Sequence, residues 1–134
     1  MSYVEELLKN PVSSNMRTDP PTASPSDPVA EVVLKMSEMD IGAVIVVEEG
    51  RAIGIITEKD VLERVVKPRK MMDLIQVRDV MTTPLASIDA DKTTKQALDL
   101  MRFKGIRRLA VMEEGRLIGI VTERRLLESA LIKR

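Results

Sequence analysis

The stretch Thr57-Glu58-Lys59-Asp60 has the residue types and spacing to do chemistry. It places a hydroxyl three residues ahead of a carboxylate, between an apolar run and a helical pattern. On the residues alone the favoured reading is a capping box, in which threonine and acid satisfy amides of the first helical turn. A helix start also suits an anion, through its free amides and the positive end of the dipole. The stretch recurs as Thr122-Glu123-Arg124-Arg125, with a guanidinium where the carboxylate stood. Arginine has five donors and no acceptor, so Arg125 cannot do what Asp60 does. It suits a phosphate or a carboxylate instead. Arg107-Arg108 is a second cationic pair, and its counterpart is Gly42-Ala43. At the start of a strand its simplest reading is two solvated arginines, one on each face.

Composition narrows the chemistry. The chain has no Cys, His or Trp, and Tyr3 and Phe103 are its only aromatic residues. That removes thiol nucleophiles, zinc–cysteine sites and the commonest general base. It also removes the aromatic platforms that stack single-stranded nucleic acid. The pairs Glu48-Glu49 and Glu113-Glu114 lie beside turn glycines and read as solvated hairpins rather than acid–base dyads. No phosphate loop or dinucleotide fingerprint is present. No catalytic residue and no metal site is therefore expected, and the chain reads as a non-enzyme. The basic stretch Lys67 to Lys70 is too short for a nucleic-acid tract in a chain of zero formal charge, so nucleic-acid binding is not expected. The longest apolar run, Ile41 to Val47, is seven residues, against the ~20 that span a bilayer. Met1 to Glu6 lacks the features of a signal peptide, so the expectation is a cytoplasmic protein without membrane contact.

The elements that carry these residues are written twice. Val46 to Glu63 returns as Val111 to Glu128 at an offset of 65, with 12 of 18 positions identical. Thinner matches extend back through Met36/Met101, Met16/Met81 and Val12/Val77. An internal repeat sets the architecture. Each copy reads as strand, helix, strand, strand, helix, an α/β pattern. Asp27-Pro28 is a plausible helix start with an acidic cap. Val29, Val32, Val33, Met36 and Met39 follow at helical spacing, as do Ala97, Leu98 and Met101. Two β-branched strands flank each Glu-Glu-Gly-Arg turn, where glycine supplies positive φ. The last helices put Val61, Leu62, Val65 and Val66, or Leu126, Leu127, Ala130 and Leu131, on one face. The division is a lead-in over 1–11, repeats over 12–66 and 77–134, and a connector over 67–76. The first repeat carries net charge −5 and the second +4, which suggests specialisation.

The pattern resembles a tandem pair of cystathionine-β-synthase-type (CBS) domains, a Bateman module. Val77-Arg78-Asp79-Val80-Met81-Thr82-Thr83-Pro84, the strand Ile106 to Val111, and the endings Gly54 to Asp60 and Gly119 to Arg125 carry the resemblance. It implies two βαββα units packed with pseudo-two-fold symmetry, and adenosine-nucleotide binding in clefts between them. It implies that Thr57 and Asp60 hold ribose and α-phosphate, since Gly-x-x-Thr-x-x-Asp is the family's ribose motif. It places Ile55, Pro84, Leu85 and Ala86, the last three as the first strand of copy two, around the adenine, and Arg107, Arg108 and Arg124 against the phosphates. The other site, with Thr122, Arg125, Gly42, Ala43 and Lys59, is expected to be degenerate. The resemblance also implies a homodimer joined through helices and a regulated partner protein.

The expected function is thus a stand-alone sensor of AMP, ADP or ATP, with no other cofactor. The competing expectations are a protein- or nucleic-acid-interaction scaffold that has lost nucleotide binding, and a sensor of S-adenosylmethionine or NAD.

Overall fold

The computed structural model describes residues 3–132; Met1, Ser2, Lys133 and Arg134, at the outer ends of the lead-in and the second repeat, lie outside the described residues. The chain forms two compact α/β units, one of residues 21–85 and one of residues 1–20 with 86–134. The repeat in sequence and the unit in space are therefore different segments.

The contiguous unit holds β2 (Thr22–Ala23), α2 (Val29–Met39), β3 (Ala43–Glu48), β4 (Arg51–Thr57) and the short helix α3 (Glu58–Val61). α3 widens into a π-helical turn over Leu62–Val66. The sheet order is β2-β3-β4, with β2 parallel and β4 antiparallel to β3. Glu49 and Gly50 join β3 to β4 with φ of 51° and 77°. Both central residues of this tight turn are left-handed, which matches the twist of the strands it joins. The segment after the connector returns to this unit: Ile55 and Thr82 exchange backbone hydrogen bonds of 3.0 and 2.8 Å along the free edge of β4. Val77 and Val80 are fully buried in one cluster with Val32, Val44, Val46, Ile56 and Val65.

The other unit repeats this plan with β5 (Ser87–Asp89), α4 (Thr94–Lys104), β6 (Arg108–Glu113), β7 (Arg116–Thr122) and α5 (Glu123–Ile132). Here the edge of β7 is covered by β1 (Arg17–Thr18), giving the order β1-β7-β6-β5. Val12 packs with Met101, Leu109, Val111 and Val121. Helix α1 (Tyr3–Lys9) belongs to this unit and buries Leu7, while Val4 is half exposed. At the offset of 65, the Arg17–Ile120 pair is the counterpart of Thr82–Ile55. Each core is therefore completed by the opening segment of the other repeat.

Gly54 and Gly119 permit this exchange. A Cβ on Gly54 would lie 2.8 Å from the Thr82 carbonyl oxygen, and one on Gly119 would lie 2.7 Å from that of Arg17. Only a residue without a side chain lets the edge strand come so close.

Three sequence expectations are corrected. Asp27 does not cap α2: the N-cap is Pro28, and the Asp27 carboxylate accepts from the Ser24 amide at 2.8 Å. The first amides of α2 instead donate to main-chain carbonyls, Val29 to Ile75 at 2.9 Å and Ala30 to Met72 at 3.1 Å. The connector is thus part of the packed unit. Pro84, Leu85 and Ala86 do not form a strand; β5 begins at Ser87, after a proline that has no amide to give a ladder. The last-helix apolar residues do not share one buried face. Val61, Val65 and Leu126 are buried, but Leu62, Val66, Leu127 and Leu131 are exposed. Among the described residues no helix is long and apolar enough to cross a membrane.

Candidate functional site

In the contiguous unit, β4 ends at Thr57, whose extended backbone makes it the N-cap of α3. The capping box is fully formed: the Asp60 amide donates to Thr57 Oγ1 at 3.2 Å, and the Thr57 amide donates to Asp60 Oδ2 at 2.9 Å. Thr57 Oγ1 also donates to Asp60 Oδ2 at 3.0 Å. The other oxygen, Asp60 Oδ1, accepts from Thr82 Oγ1 at 3.1 Å and lies 3.8 Å from Arg64 Nη1. Arg64 Nη1 itself donates to the carbonyls of Val80 at 2.7 Å and Met81 at 3.2 Å.

These bonds fix the Asp60 carboxylate from three elements and leave its side chain 12% exposed. A carboxylate has about four acceptor positions. Two are used on Oδ2 and one on Oδ1, so Oδ1 keeps capacity for another donor. Capping and ligand binding are thus compatible. Thr82 and Arg64 have no counterpart in the sequence reading. The part of Thr82 was hidden because the sequence does not show that residues 77–85 return to β4; the i,i+4 spacing of Asp60 and Arg64 was a local signal that could have found Arg64.

Of the other expected residues of this unit, Ile55 and Gly42 make backbone contacts near the same strand end. Ile55 pairs with both Ile45 and Thr82. The Gly42 carbonyl accepts from the Glu58 amide at 3.0 Å, and Ala43 is buried. Lys59 and Pro84 are exposed, and Leu85 is partly buried.

The second unit differs at the corresponding positions. Thr122 Oγ1 accepts from the Arg125 amide at 3.0 Å, but Arg125 has no carboxylate to return a bond. The cap is therefore one-sided. Arg108 lies opposite Thr122 across the β6–β7 pair, and the Arg107 carbonyl accepts from the Glu123 amide at 2.9 Å. Cross-strand neighbours share a face, so Arg108 and Thr122 project together. Arg107 and Arg125 are exposed, Arg108 and Ala86 partly buried. Arg124 makes a loose 3.6 Å pair with Glu128 at the surface, which holds it weakly. This unit thus gathers four arginines at the start of one strand and the start of one helix. Among the described residues no group of acidic or histidine side chains is placed to hold a metal ion.

This fold and this duplicated strand–helix corner define a tandem α/β module of two repeats. The family model for the CBS domain matches residues 4–67 and 77–131, and the chain belongs to that family. An uncharacterized protein of Methanopyrus kandleri is 41% identical over 114 residues, covering 84% of this chain and 58% of that protein. A CBS domain-containing protein of Bacillus subtilis is 32% identical over 110 residues, covering 82% and 78%. The chain spans 58% and 27% of the lengths of two archaeal relatives, the Methanopyrus protein and one of Methanocaldococcus jannaschii. A crystal structure of an uncharacterized conserved protein from Pyrococcus horikoshii aligns with a TM-score of 0.86 at 30% identity, covering 95% of this chain and 96% of that one.

Proposed function

We propose that the chain is a ligand-sensing module that binds an adenine nucleotide, AMP, ADP or ATP, and does not turn it over. The carrying observation is the Asp60 carboxylate. Thr57 and Thr82 hold it at a helix start with an oxygen still able to accept. A vicinal diol offers two donors at one end of a ribose, which suits such an acceptor. Arg107, Arg108 and Arg124 are the donors for the phosphates in this reading. Each charge-assisted contact is worth about 1.5–3 kcal/mol, so phosphate-bearing ligands are preferred over S-adenosylmethionine, whose sulfonium is cationic. Ile55, Pro84, Leu85 and Ala86 are assigned to the base. The site centred on Thr122 and Arg125, with Gly42, Ala43 and Lys59, lacks the diol acceptor and binds nucleosides weakly or not at all. To act as a switch, the nucleotide must bind two states of the module with different affinity.

The exposed pairs Leu62/Val66 and Leu127/Leu131 occupy corresponding positions of the two repeats. They support self-association through these helices, with a regulated partner protein as the reader of the ligand state.

Titration calorimetry with AMP, ADP, ATP and S-adenosylmethionine tests the proposal on wild type, Asp60→Asn and Arg108→Ala. The asparagine variant keeps an acceptor for the cap while removing the charge. One site per chain is expected, weakened at least tenfold by Asp60→Asn, with Arg108→Ala affecting ATP more than adenosine. Absence of binding by all four ligands rejects the adenine-nucleotide reading in favour of an interaction scaffold.

A further inference from the structure

The discontinuous unit contains a cavity of about 430 Å³ where α1 and the turn at Val12–Asn15 face α5. Tyr3, Asn10, Asn15, Arg125, Glu128 and Ser129 line it. Its volume falls in the ~300–1,000 Å³ range of small-molecule sites. It lies within one unit and shares with the nucleotide reading only Arg125, from the site that lacks the diol acceptor.

The repeat explains why the space is open. Ser129 is the counterpart of Arg64, and Asn15 the counterpart of Val80. In the contiguous unit the Arg64 guanidinium reaches the carbonyls of Val80 and Met81. In the discontinuous unit the short Ser129 side chain turns back to the Arg125 carbonyl at 2.9 Å. Ser129 is too short to copy that contact to Asn15 and Met16, the counterparts of Val80 and Met81. Tyr3 closes one side, its hydroxyl donating to the Ser129 carbonyl at 2.7 Å.

The charges define the occupant further. A guanidinium entering this space meets the Glu128 carboxylate and Asn15, the counterpart of Val80. It also meets Arg125 where the other unit has Asp60. A purely cationic ligand is disfavoured by that arginine, whereas one carrying its own carboxylate is held by it, because arginine and carboxylate pair bidentately.

We propose that this cavity binds a small guanidino acid of the free-arginine type. Its guanidinium takes the place that Arg64 fills in the other unit, beside Glu128, and its carboxylate pairs with Arg125.

NMR-detected titration of the full chain tests this with three probes: L-arginine, agmatine (no carboxylate) and citrulline (no charge on the side-chain end). Arginine is expected to shift the Asn10, Asn15 and Ser129 amides saturably, with agmatine and citrulline each at least tenfold weaker. Arg125→Ala should reduce arginine to the agmatine level and leave agmatine affinity unchanged or improved. Ser129→Arg, which copies the other repeat, should fill the space and abolish the response. Should that variant fail to fold, Glu128→Gln serves in its place and should weaken arginine at least tenfold. The proposal is overturned by any of three results: no saturable shift with arginine, equal affinity for arginine and citrulline, or undiminished binding in the Ser129→Arg or Glu128→Gln protein.

Discussion

Gly54→Ala tests whether the close approach of residues 81–83 to β4 is rigid. The added Cβ would meet the Thr82 carbonyl oxygen at 2.8 Å and Thr83 Cγ2 at 2.9 Å. An ordinary carbon–oxygen contact is about 3.3 Å, so the edge segment must retreat by roughly half an ångström or strain must be absorbed. Strain of this kind costs about 1–3 kcal/mol. Retreat costs the two hydrogen bonds between Ile55 and Thr82, about 1 kcal/mol each. Alanine restricts the unfolded chain and returns about 0.4–1 kcal/mol. The net loss is therefore about 1–2 kcal/mol, or a Tm drop of about 3–8 °C. Urea unfolding followed by far-UV circular dichroism gives the energy. Hydrogen exchange gives the location: the Ile55 and Thr82 amides should lose protection while those between β3 and β4 keep theirs. A variant within about 0.3 kcal/mol of wild type, with both amides still protected, refutes the steric reasoning.

Four further outcomes are expected. Thr57→Val removes the side-chain half of the α3 cap and should cost about 1 kcal/mol in urea unfolding. Arg125→Asp supplies the carboxylate that would return a bond to the Thr122 amide, as Asp60 does for Thr57. It also places an acid in the first turn of α5, so a gain of about 0.5–1 kcal/mol is expected by thermal melting. Leu62→Glu and Leu127→Glu change exposed residues, so each should lower the mass seen by light scattering while shifting monomer stability by less than about 0.5 kcal/mol. Gly50→Ala meets nothing within 4 Å but must adopt a φ of 77°, so its cost, about 1 kcal/mol, should appear without loss of Thr82 protection.

The hairpins were readable in the sequence because their rule is local. Glu49-Gly50 and Glu114-Gly115 supply two left-handed residues between β-branched runs, and the structure has them so. The capping box at Thr57 and Asp60 was readable for the same reason. The cap of α2 was not, because its partners, Met72 and Ile75, lie more than 40 residues away in the chain. Helical periodicity marked Leu62 and Val66 as apolar but could not say that Val61 and Val65 alone face the core. The exchange of edge segments was invisible for a deeper reason. Val12 and Val77 are equivalent and equally buried, so the exchanged and unexchanged arrangements satisfy the same pattern. Thr82 reaches Asp60 through that exchange, which is why it was missed, whereas Arg64 stands four residues after Asp60 on the same helical turn, a spacing the sequence does show.

Viewed as topology, the two-unit partition is one domain inserted into another. Residues 21–85 form a continuous segment that interrupts a unit whose parts come from both sides of it. During synthesis the inserted unit is complete once Leu85 has left the ribosome. Strand β1, at Arg17–Thr18, must wait until β7, at Arg116–Thr122, is available before it is paired. A fragment cut at the repeat boundary after Val66 would lack Val77 and Val80 and leave the edge of β4 bare, whereas one spanning 21–85 keeps every piece of its core. The functional unit of inheritance here is the repeat, but the unit that can be excised, permuted or grafted is bounded by Pro20 and Ala86.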